Sequence, residues 1–135
     1  MTELDREGRD PLHYAAKNND VAGVRERLAA GVDVNLTERR SQYTPLHFAV
    51  QDGAVNAATA LLDAGADVQA VYSPGATPLH LAVIRWRKSP DGTMIKLLLE
   101  NGADKAAVET NGHTPAEIAK GQYGFPDALA ELLQS

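Results

Sequence analysis

TPLHFAV, residues 44–50, returns 33 residues later as TPLHLAV, residues 77–83. A threonine followed by proline reads as a helix start. The hydroxyl accepts a backbone N–H left without a partner in the first turn, and proline is pre-set for the first helical position, where its missing N–H costs nothing. The same start occurs as DPLHYAA from Asp10 and as TPAEIAK from Thr114, so the four starts are spaced 34, 33 and 37 residues apart. A second motif follows each of the first three, its glycine 21, 21 and 25 residues after the start: LAAGVDVN around Gly31, LLDAGADV around Gly65 and LLENGADK around Gly102. The unit is therefore near 33 residues, with one extra residue in LTERRSQY before Thr44 and four extra in repeat three, within AVIRWRKSPDG.

Each unit predicts two helices. A short first helix is lined by small residues, Ala15 and Ala16, Ala49 or Ala82, which permit close stacking. A second carries apolar residues at helical spacing: Val21, Val24 and Leu28; Val55, Ala58, Leu61 and Leu62; Ile95, Leu98 and Leu99. Gly31, Gly65 and Gly102 then end these helices. Thr114 and Glu117 have the spacing of a capping box. Gly8, Gly75 and Gly112 stand two residues before a cap; Gln42 holds that place in repeat two, so its turn is expected to differ. In repeat three the insertion is expected to lengthen the first helix to about Arg87 or Lys88, with Ser89 capping the second helix and Pro90 at its first position.

Composition narrows the function classes. The 135 residues carry a formal net charge of -5, which argues against general affinity for nucleic acid or anionic membrane. There is no cysteine, which excludes disulfides and thiolate metal sites. The start, MTELDREGRD, has no apolar signal-peptide core, and no apolar run reaches membrane-spanning length. A cytoplasmic protein is the expectation. No phosphate-binding loop, nucleophile elbow or H-E-x-x-H motif occurs, so no enzyme activity and no cofactor are expected.

Three PLH copies at matched positions, each followed by a G-x-D motif, resemble the ankyrin repeat across nearly the whole chain. The resemblance implies an all-α solenoid: stacked helix-turn-helix units joined by β-hairpin-like loops, in one domain over 1–135. The repeats fall at about 5–38, 39–71, 72–108 and 109–135. The polar first and fourth repeats look like caps, which would make the chain self-capped. His13, His47 and His80 recur once per unit, and the resemblance implies that they tie each helix start to hairpin backbone rather than bind metal. Asp33, Asp67 and Asp104 recur as turn residues.

The resemblance also implies a concave surface that binds another protein, built from hairpin tips and first-helix ends. Mapped here, it includes Arg6, Glu7, Arg9, Lys17, Arg39, Arg40, Tyr43, Gln51, Tyr72, Ser73, Pro74, Arg85, His113 and Tyr123. Of the chain's 13 Lys and Arg, eight fall on this surface or its inserted loop, against Glu7, Glu38, Asp52 and Glu109. The lone tryptophan, Trp86, sits between Arg85 and Arg87, with Lys88 next. It reads either as a contact device or as a ring folded back to shield the helix end. The expected function is capture of a partner with an acidic surface by a chain that is a monomer when unbound, acting as an inhibitor, immunity or adaptor protein. The alternatives are a nucleic-acid binder using the same basic face and a self-associating subunit.

Overall fold

A computed structural model describes residues 6, 8–72 and 75–134. Eight α-helices stand among them: α1 Pro11–Lys17, α2 Val21–Ala29, α3 Pro45–Gln51, α4 Val55–Asp63, α5 Pro78–Ile84, α6 Thr93–Glu100, α7 Pro115–Lys120 and α8 Asp127–Leu132. The odd-numbered helices pack on one another in an inner row, α1 on α3 on α5 on α7, and α2, α4 and α6 form an outer row behind them. The two-layer all-α solenoid expected from the repeat is the architecture observed.

Every inner helix begins with a capping box. Sequence spacing identified only the Thr114–Glu117 pair. In the other three, the histidine replaces the usual Glu or Gln. The Nδ1 atoms of His13, His47 and His80 accept the backbone N–H of Asp10, Thr44 and Thr77 at 2.9, 2.9 and 3.1 Å. The far nitrogens, Nε2, donate to the carbonyls of Leu36, Ala70 and His113 at 2.7, 2.9 and 3.0 Å. Each imidazole thus joins a helix start to the linking segment that follows its own unit, which leaves it no role as a metal ligand. Burial pulls the His47 pKa from its ordinary 6.5 down to about 4, only partly opposed by the bond to Ala70.

The outer helices end as the glycines predict. Val32, Ala66 and Ala103 return their N–H groups to Arg27, Leu61 and Leu98, the six-to-one bonds of a Schellman ending. Asp33, Asp67 and Asp104 then accept the N–H two residues on, holding the turn. Neighbouring units are stitched by side chains: Asn35 accepts from the Asp67 N–H, and Gln69 bonds both Asp104 and Gly102. The core runs through both rows and includes fully buried Leu12, Leu46, Leu61, Leu79 and Leu98.

The second hairpin differs from the others as expected, but not in the backbone conformation of Gln42 itself. That residue takes φ 62°, in the left-handed region of Gly8, Gly75 and Gly112 at 75°, 96° and 83°. The extra residue instead widens the hairpin: Glu38 N–H bonds the Tyr43 carbonyl, whereas Tyr72 and Glu109 reach only to Ala76 and His113. The expectation for repeat three needs correction: the insertion does not lengthen α5, which stops at Ile84. The chain turns at Arg85 into a short 3-10 segment, Trp86–Lys88, and α6 starts only at Thr93. Ser89 still accepts the Met94 N–H at 3.2 Å, but the cap position itself belongs to Gly92.

Candidate partner-binding site

The predicted contact residues divide between the two ends of the inner helices. Glu7, Ser73 and Pro74 lie outside the described residues. At the N-terminal ends, the hairpins bring together Arg9, Tyr43 and Tyr72 with Phe48. Tyr43 packs edge-on against Tyr72 and Phe48, with ring centroids 4.8 and 5.1 Å apart, and both tyrosines touch the His47 ring. The Arg9 guanidinium lies over Phe48 at 5.1 Å and over Tyr14 at 5.8 Å. Burial pushes the Tyr72 phenol up to about 12, helped by Tyr43 and Glu109, and raises Tyr43 as well. These two rings are half-buried in a continuous aromatic run, so they shape the surface more than they protrude from it.

Glu38 does not belong to that surface. Its residue is 1% exposed, and it accepts from Arg40 N–H, Ser41 N–H, Ser41 Oγ and Tyr43 N–H. Arg9 Nε stands 3.5 Å from its carboxylate. Burial alone would raise its pKa, yet the Ser41, Tyr43 and Arg40 donors outweigh that and lower it. A carboxylate thus fills the widened hairpin from within. The signal was present in the sequence: Glu109 precedes Thr114 much as Glu38 precedes Thr44, and it too accepts an N–H from its own hairpin, that of His113. Above Glu38, Arg39 and Arg40 are exposed, with the Arg39 side chain lying against Gly8 of the first hairpin. Arg6 is exposed as well. His113 is exposed at the fourth hairpin, its Nδ1 3.2 Å from Glu109.

At the C-terminal ends, the predicted residues reach sideways. Lys17 Nζ lies 3.2 Å from Asp52 of the next unit. Arg85 Nε donates to the Gln51 carbonyl at 3.2 Å, and Arg87 donates to the Tyr123 carbonyl at 2.6 Å. Each bond crosses one repeat boundary. Trp86 is folded back: its ring meets Phe125 edge-on at 5.7 Å, and the Arg87 guanidinium covers it at 4.5 Å. The loop's other side lies on repeat two, where a Cβ at Gly53 would collide with the Lys88 carbonyl. The insertion therefore wedges between repeats two and four. Sequence reading missed its receptor, the loop 121–126, whose Phe125 and Gly124 line the tryptophan.

Comparison with known families agrees with this geometry. Residues 1–72 match the family model described as ankyrin repeats (3 copies), and residues 74–109 match the ankyrin repeat model. The chain belongs to the ankyrin-repeat family. Ankyrin repeats are non-catalytic modules that mediate protein–protein interaction. A comparison with curated protein sequences found no match. Residues 110–135 lie beyond the matched residues, and the capping box at Thr114 and the packing of α7 on α5 place them in the same stack. Among the described residues, no helix is long and apolar enough to cross a membrane.

Proposed function

We propose that this ankyrin chain captures a partner protein with an acidic surface, and that the hairpin side of the inner row, centred on Arg39 and Arg40, is the part that reads charge. The observation carrying this reading is a contrast among six of the eight surface cations, with Arg6 and Lys88 exposed at its margins. Arg9, Lys17, Arg85 and Arg87 each reach an acceptor on the protein itself. Arg39 and Arg40 stand exposed on the widened hairpin, and their guanidinium groups meet no acceptor among the described residues. In the same hairpin and the next, half-buried Tyr43 and Tyr72 pack on each other over the buried Phe48 ring. Cations beside packed aromatic rings suit a desolvated protein contact, and a preformed surface spends little ordering entropy on binding. Binding is then itself the activity, as in an inhibitor, an immunity protein or an adaptor.

The test is capture from lysate of the source cell, comparing the wild type with an Arg39→Glu, Arg40→Glu double variant of equal thermal stability. A protein retained by the wild type and lost from the variant supports the reading. Equal retention of the same partner by both would show that these arginines do not carry recognition.

A further inference from the structure

Tyr123 is 92% exposed, far more than any other large hydrophobic side chain among the described residues. Its backbone is nevertheless gripped. Arg87 holds its carbonyl at 2.6 Å, and Gly124, at φ 77°, passes under Arg87 and the Trp86 ring. Phe125 then packs against that ring. A phenol standing in water on a backbone fixed at three consecutive positions is a presented side chain rather than a loose one. Its surroundings are cationic: residues 85–92 and 120–127 contain Arg85, Arg87, Lys88 and Lys120 against Asp91 and Asp127, in a chain of net charge -5. Asp91 is already engaged, accepting from the Thr93 N–H and Ser89 Oγ. Asp127 lies in the first turn of α8.

We propose that the repeat-three insertion and loop 121–126 form one clasped unit that presents Tyr123 as the anchor of a second contact, and that this contact takes an acidic partner segment with an apolar residue to lie on the phenol ring. The inference rests on the protein-binding reading above and adds to it, since this unit and the Arg39–Arg40 hairpin sit at opposite ends of the inner helices, about 10 Å of helix apart. Trp86 and Arg87 are positioning residues here. The Trp86 ring is already covered by Phe125 and Arg87, so its role is to hold the loop. Its indole Nε1 is buried without an acceptor among the described residues, so phenylalanine at this position keeps the apolar packing and removes an unmet donor. A single free ring offers no run of stacking surfaces, which favours an acidic peptide over a nucleic acid.

The probe is a phage-displayed library of random dodecapeptides panned against the full chain at low salt. The expected result is an enriched pool rich in Asp and Glu with an aromatic or aliphatic residue. Binding of that pool should weaken about tenfold on Tyr123→Ala, with an unchanged melting temperature. Trp86→Ala, assayed at a temperature where it remains fully folded so that global unfolding is not the cause, should weaken it comparably, and Trp86→Phe should restore it. Pools that lose binding in the Arg39→Glu, Arg40→Glu variant but ignore Tyr123→Ala overturn the anchor and leave the protein-binding reading intact. So does the absence of any Tyr123-dependent pool. Oligothymidine bound more tightly than the peptides, in a Tyr123-dependent and steeply salt-dependent way, also overturns the proposal in favour of single-stranded nucleic acid.

Discussion

The two insertions in this chain are accommodated in opposite ways. The single extra residue of the second hairpin is absorbed inside its own turn, where Glu38 gathers three backbone N–H groups and a hydroxyl. The longer insertion of repeat three is held from within only at its far end, by Ser89 and Asp91. It settles on its neighbours, with Trp86 and Arg87 on repeat four and the Lys88 backbone over Gly53 of repeat two. A short excess of backbone can be satisfied by one buried side chain, because few polar groups are freed. A long one exposes too much surface and must be packed against something already rigid.

The sharpest way to break this contrast is Glu38→Ala. It strands the Arg40, Ser41 and Tyr43 N–H groups and leaves Arg9 without its carboxylate, at a cost of roughly 3–4 kcal/mol measured by urea unfolding. A loss below about 1 kcal/mol would mean that water replaces the carboxylate and the hairpin is not held from within.

Acid should act on the hairpin region next. The unfolded chain protonates His47 below its ordinary 6.5, whereas the folded chain does so only near 4. Stability from this ring is therefore complete above pH 6.5 and drains away as the pH falls to about 4, by about 3 kcal/mol in total. The lowered pKa values of Glu38 and Asp10 add a further loss at still lower pH, as the folded protein is forced to protonate them. Unfolding midpoints measured from pH 7 to pH 4 should show the first slope, and His47→Gln should flatten it. An equally steep slope in the variant would assign the transition to another group. The clasp contacts between Trp86, Phe125 and Tyr123 involve no imidazole or carboxylate, so they should not follow this titration.

Trp86→Ala tests the other insertion. Removing a half-buried ring that touches Phe125 and Arg87 should cost about 2 kcal/mol, and the loss should concentrate in repeat four as faster amide exchange over α7 and α8. Uniform exchange across all four repeats would show that the clasp is not local. The smallest effect is a gain. Gln42→Gly should stabilise by about 1 kcal/mol, because the native φ of 62° suits glycine better than a residue with a Cβ. Destabilisation there would show that the Gln42 side chain supports the widened hairpin after all.

Much of this was legible in the residues. Thr44-Pro45 and its copies announce helix starts, because N-cap chemistry is local. Gly65 and its copies mark helix ends for the same reason. The candidate site was legible only in part. Its basic residues were read as one surface, yet Lys17 and Arg85 stand at C-terminal ends of inner helices, where a cation also answers the helix dipole. Sequence cannot separate those roles, because it does not say which acceptor each long side chain reaches.

The sequence by itself determined the repeat, the two-helix unit, the caps and the places where extra residues enter. These follow from interactions within a few residues, repeated until chance is excluded. Only the tertiary structure decided that Glu38 turns inward, that Trp86 lies on Phe125 and that Tyr123 is left standing in water. Those outcomes depend on surfaces supplied by other repeats, and nothing local to a residue encodes what its neighbour in space will bury.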